Sequence, residues 1–157
     1  MVSYGCLKIQ AVVSLFMWFS KKKNIEALFL NAYNDKSAED IELLMPQIAR
    51  AESISDETSA ILIKLLQEDW HYKHEDIAML LKKIKDPKTV EALYTAAKQK
   101  FDYLEYDDTF QFARKCIKAL AAIGDDNAIE KLRLLKQSDN NVIKAYAEKE
   151  LNYKELQ

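Results

Sequence analysis

Residues 113–132, ARKCIKALAAIGDDNAIEKL, decide the fold. Ala113, Cys116, Ile117 and Leu120 fall at i, i+3, i+4 and i+7, the spacing of a helix with one buried face. Asp125, Asp126 and Asn127 then supply the side chains that start helices, before Ile129, Leu132 and Leu135 give the same pattern more loosely. The unit is therefore helix, short turn, helix.

Working outward, the pattern recurs along most of the chain. It is carried by Ile25, Leu28, Phe29 and Ala32, and then by Ile41, Leu44, Met45 and Ile48. Ile61, Leu62, Leu65 and Leu66 form a third instance ending at Trp70, and Ile77, Leu80, Leu81 and Ile84 a fourth. Val90, Leu93, Tyr94 and Ala97 follow, and Ile143, Tyr146, Ala147 and Leu151 close the series. No stretch sustains the alternation of a strand. Ser37 and Ser55 precede acidic first turns, and Asp86-Pro87 both ends a helix and opens the next. Pro46 sits inside the second pattern and predicts a kink there, or a break at Met45.

Composition agrees. Only two Gly and two Pro occur in 157 residues, far fewer turn formers than a β-rich fold requires. The net charge of −2 gives no general drive toward nucleic acid. Cys6 and Cys116 form neither a metal-ligand pair nor a disulfide framework, a usage that fits a reducing cytoplasm. Residues 9–19 are nearly all apolar, and Lys21, Lys22 and Lys23 follow at once. That run is too short to span a bilayer. A signal or anchor segment is therefore not expected, and the plainer reading is that these residues lie ahead of a start at Met17. Residues 1–23 are accordingly set apart from a helical domain over 24–157.

The helices also repeat in pairs, since the segment from Ile84 to Leu93 superposes on Ile123 to Leu132, thirty-nine residues later. Such a period is typical of solenoids, in which each repeat needs a neighbour to bury its apolar face. Residues 113–132 resemble a HEAT repeat of the short type found in bacteria and in phycobilin lyases, with a basic, Ala-rich first helix, then Leu, Gly, Asp and a second helix. Residues 74–97 match more loosely, 142–151 look like a terminal first helix, and 24–70 are compatible. The resemblance implies an all-α, right-handed solenoid of about three to four antiparallel helix pairs. First helices are expected near 38–50, 74–85, 110–123 and 140–152, and second helices near 56–70, 88–100 and 127–137. HEAT-repeat proteins include scaffolds, inhibitors and a few enzymes, so the resemblance speaks to fold more than to function.

One enzymatic relative can be rejected by its ligands. Deoxyhypusine hydroxylase, a HEAT-repeat protein, binds two irons through several His-Glu pairs. This chain has one such pair, His74-Glu75, and Ala113-Arg114 stands at the next equivalent position. His71, His74, Glu75 and Asp76 do form a cluster of metal-like composition. Two His without Cys make an incomplete ligand set, however, and the acids suit the first turn of a helix. A structural role is expected for them.

Residues 101–110, FDYLEYDDTF, form a long connection that breaks the repeat spacing. Asp102, Glu105, Asp107 and Asp108 are interleaved with Phe101, Tyr103 and Tyr106, a combination suited to gripping a basic protein. The alternative is that Phe101, Leu104 and Phe110 tuck the loop onto the core and leave a solvated acidic crest. Lys82, Lys83, Lys85 and Lys88 read as a solvated face balanced by nearby acids. No nucleophile setting or phosphate loop is found. The expectation is a cytoplasmic, cofactor-free, non-catalytic protein-binding module. A concrete version is a bacterial immunity protein that neutralises a basic toxin. A scaffold or adaptor is the alternative, followed by a lyase-like or metal-dependent enzyme.

Overall fold

A computed structural model describes residues 24–104 and 109–155, with side chains to residue 153. Among the described residues the chain is all-helical. The helices are α1 (24–34), α2 (Ala38–Arg50), α3 (Asp56–Leu65), α4 (His74–Ile84), α5 (Val90–Ala96), α6 (Gln111–Ile123), α7 (Asp126–Leu135) and α8 (Asn141–Glu155). Short 3₁₀ turns cover Pro87–Thr89 and Asp102–Leu104. No helix among these residues is long and apolar enough to cross a membrane, and residues 9–19 lie outside the described part.

The starts of the helices follow the sequence closely. The Ser37 hydroxyl accepts from the Asp40 amide at 3.3 Å, Ser55 from Thr58 at 3.1 Å, and Asp125 from Ala128 at 2.7 Å. Each satisfies an amide that a helix start would otherwise leave unpaired. Asp86 caps the turn opened by Pro87, accepting from Lys88 N at 2.9 Å.

Two helix ends share one unusual backbone angle. Gly124 closes α6 in the left-handed region (φ 68°), and Lys85 closes α4 the same way (φ 58°). The two positions are equivalent in the thirty-nine-residue repeat. Glycine takes this angle freely, whereas a lysine there costs about 1–2 kcal/mol. Helix α2 runs through Pro46 to Arg50 rather than breaking at Met45. Two helices are shorter than the sequence suggests. Helix α3 stops at Leu65, well before Trp70, and α5 stops at Ala96, because each final turn tightens into i→i+3 bonds such as Gln67 N to Lys64 O (3.0 Å) and Lys98 N to Thr95 O (3.1 Å).

The apolar faces meet in one core. Helix α6 packs against α4, α5, α7 and α8, and α5 also packs against α7. Ile117, Leu120 and Cys116 from α6 are fully buried with Leu81, Leu93 and Leu132 from its neighbours. Cys116 behaves as a small hydrophobe: burial pushes its thiol well above the ordinary range.

Candidate functional site

The long connection begins where α5 ends, and two histidines determine how it is held. His71 and His74 are fully buried, with their rings stacked at 4.2 Å and inclined by 17°. His71 Nε2 lies 2.7 Å from the Leu65 carbonyl, and His74 Nε2 lies 2.7 Å from the Glu68 carbonyl. A carbonyl only accepts, so each Nε2 carries a proton. His71 Nδ1 accepts from the Lys73 amide at 3.0 Å, and His74 Nδ1 sits 2.7 Å from the Tyr103 hydroxyl, which donates to it. Both imidazoles are thus neutral Nε2–H tautomers, one bonded to the last carbonyl of α3 and the other to the Glu68 carbonyl beyond the turn that follows it.

All four ring nitrogens are engaged, which leaves no free lone pair to bind a cation. No group of three or more His, Cys, Asp or Glu among the described residues is placed to hold a metal. Glu75 and Asp76 lie in the first turn of α4 as the sequence suggests, and Glu75 pairs with Lys115 of α6. The histidines are therefore part of the scaffold. What the sequence does not reveal is their task, since Leu65 and Glu68 each precede their partner by six residues, outside any helical register.

Burial lowers the pKa of both imidazoles. For His74 the neighbouring ring of His71 adds to this, bringing it to about 4, against a smaller opposing pull from the Glu68 carbonyl and Asp69. Below 6.5 the unfolded chain takes up a proton on His74 that the folded chain refuses down to about 4. Stability is therefore complete above pH 6.5 and falls as the pH drops through that window. Going from pH 7 to pH 5, His74 alone removes about 2 kcal/mol. Urea midpoints at the two pH values measure this loss, and identical midpoints would rule out the buried neutral pair.

Around this pair the aromatic residues of the connection close in. Phe101 is buried with its ring 3.7 Å from His74, and Phe112 meets both rings edge-on. Tyr103 is half-buried, and burial, helped by the field of Glu75 and Asp76, pushes its hydroxyl up to about 12. It stays a proton donor at any physiological pH. Asp102 is exposed. Of the candidate binding residues, Phe101 and Tyr103 thus anchor the connection, Asp102 faces solvent, and Glu105, Tyr106, Asp107 and Asp108 lie outside the described residues.

A cup of about 600 Å³ opens beside this anchor, between the turn after α3 and the start of the connection. Glu68, Asp69 and Asp102 supply acids to its lining, with Lys100 the only base there among the described residues, and Tyr72 stands at it with 65% of its surface exposed. The Tyr72 ring rests edge-on against Tyr103 at 5.2 Å. The Glu68 carboxylate is held by the Trp70 indole N–H at 3.0 Å, whereas Asp69 and Asp102 make no ion pair among the described residues. Sequence reading finds Asp102 but misses Asp69 and Tyr72, which the tight end of α3 brings across some thirty residues. Set beside known proteins, the chain matches no family model, no curated protein and no solved structure.

Proposed function

We propose that the chain is a right-handed, HEAT-like α-solenoid that binds a basic protein and catalyses no reaction. In favour of the solenoid, α4, α6 and α8 pack in succession, α5 and α7 pack on one another, and Lys85 and Gly124 share one backbone geometry at equivalent positions. In favour of binding over catalysis, both described imidazoles are consumed by structural bonds and the Cys116 thiol is sealed in the core.

The cup carries the choice of partner. Two carboxylates without an ion pair among the described residues, beside an exposed, braced tyrosine ring, suit an arginine or lysine: the acids draw the cation in, and the ring face holds it. Elsewhere on the chain Lys64 lies 5.6 Å from the Tyr33 ring and Lys98 lies 3.8 Å from the Tyr94 ring, contacts of the same kind. An immunity protein that neutralises a basic toxin is the concrete form of this reading. A cytoplasmic location goes with it.

The test is affinity for a basic toxin-like protein encoded beside this chain. Asp69→Lys combined with Asp102→Lys is expected to weaken binding about tenfold or more, chiefly by slowing association. Melting temperature should stay within a degree or two, because both side chains are exposed. Unchanged affinity would sink the cup as the binding surface. The absence of any such neighbouring gene would count against the immunity version.

A further inference from the structure

A second surface, sharing no residue with the cup, carries the opposite charge. Two open clefts lie along α4, α6 and α8. One, of about 760 Å³, is lined by the later half of α4 and the start of α6; the other, of about 860 Å³, is lined by the ends of α4 and α6 together with α8. Lys82, Lys85 and Lys118 line both, so the clefts form one trough. Arg114 and Lys115 extend it along α6, and Lys149 adds a cation from α8.

Some of these charges are already engaged. Lys115 pairs with Glu75, and Lys83 donates to the Ala49 carbonyl at 3.2 Å. On the α8 side, Glu148 is taken up by Lys136 at 3.3 Å, which leaves Glu150 as the opposing carboxylate of the lining. Lys82, Lys85 and Lys118 have no ion pair among the described residues. Three unmatched ammonium groups thus share one concavity on a chain whose net charge is −2. An anionic occupant would relieve that repulsion.

The floor narrows what the occupant can be. Met79 is 55% exposed and Tyr153 63% exposed, and Ala121, Ala122 and Ala145 share the lining with the cations. Alanine lets a docked backbone approach closely, methionine adapts to varied apolar shapes, and lysine stems extend the apolar surface. A phosphodiester backbone would leave this floor bare. Single strands are held by successive stacking rings, and Tyr153 is the sole ring lining the trough among the described residues. Duplex nucleic acid needs a long basic footprint, which the acidic remainder of the surface opposes.

We propose that the trough across α4, α6 and α8 is a docking site for an acidic amphipathic segment of a partner protein. Carboxylates on one face of that segment meet Lys82, Lys85 and Lys118, and apolar residues on its other face settle on Met79, Tyr153 and the alanines. The site is independent of the cup, and either can fail without the other. Together they make the chain a connector with one anionic and one cationic docking surface.

The probe is a fluorescein-labelled, helix-forming peptide of about 18 residues, with Glu along one face and Leu and Phe along the other. Its binding is read by fluorescence anisotropy against the whole chain at low and physiological salt. Oligo-glutamate of equal length and single-stranded oligo-thymidine serve as competitors. The expected result is micromolar binding that weakens with salt, falls about tenfold or more in the K82E/K118E variant, and falls several-fold in M79S/Y153S. Circular dichroism on both variants checks that they are folded; all four side chains reach solvent, so no loss of helix is expected. The proposal is overturned if the peptide fails to bind, if K82E/K118E binds it unchanged, or if oligo-glutamate competes equally well. Tighter binding of oligo-thymidine would overturn it in favour of nucleic acid. Self-association abolished by K82E/K118E would overturn it in favour of a second copy of the chain.

Discussion

Leu120→Ala is expected to destabilise the fold by about 3–5 kcal/mol, in the upper part of the range for buried leucines. Leu120 has no exposed surface, and it lies on the helix that packs against α4, α5, α7 and α8. The loss has two parts, the transfer energy of the removed carbons and the energy of the cavity left behind. The second part depends on how far neighbours can move inward. With helices on several sides, an inward shift of one would pull it away from another, so the cavity should persist. Leu134 on α7 is the control, since it is 39% exposed and its truncation should cost less than about 1 kcal/mol. Urea unfolding of both variants at pH 7 measures the difference. Equal small losses would mean that α6 is not the centre of the core.

Leu120 was legible because burial follows local spacing. Ala113, Cys116, Ile117 and Leu120 are all buried, and so are Ile41, Leu44, Met45 and Ile48. The pattern loses accuracy toward the edges of the fold. Leu28, placed with Phe29 and Ala32, is 47% exposed, and Tyr146 is only half-buried because α8 has neighbours on fewer sides. Caps at Ser37, Ser55 and Asp125 were legible for the same reason, being bonds across three residues.

Both candidate surfaces depend instead on residues far apart in the sequence. Lys82, Lys83, Lys85 and Lys88 look neutralised when read along the chain, because acids lie close by. In space, Lys82 and Lys85 face Lys118 across a cleft, and most of those acids are elsewhere. The cup likewise joins Asp69 and Tyr72 to Asp102 and Tyr103. A single sequence gives no distance between such segments, although the thirty-nine-residue spacing does give a hint, since α4 and α6 pack on one another. Glu75 and Lys115, which form an ion pair, are forty residues apart, close to the thirty-nine-residue repeat.

His74→Ala should lower stability by about 3–5 kcal/mol, although histidine is not usually counted among core residues. The imidazole does three things at once. Its Nε2–H satisfies the Glu68 carbonyl, its Nδ1 accepts from the Tyr103 hydroxyl, and its ring fills the space between His71, Phe101 and Phe112. Each buried group left unpaired costs about 1–3 kcal/mol, and loss of the ring contacts adds to that. Tyr103→Phe separates these contributions, because it removes one hydrogen bond and keeps both rings; about 1–2 kcal/mol is expected. The double variant should cost less than the sum of the singles, since the two side chains share a bond. The acid sensitivity should change as well. Without His74 the unfolded chain gains no proton there on going from pH 7 to pH 5, so that part of the loss disappears. A His74→Ala protein that keeps the full pH dependence, or that loses no more than Tyr103→Phe, would show that the stacked pair does not hold the connection in place. A large loss with a flattened pH profile would tie the 101–104 segment, and the cup beside it, to the capped end of α3.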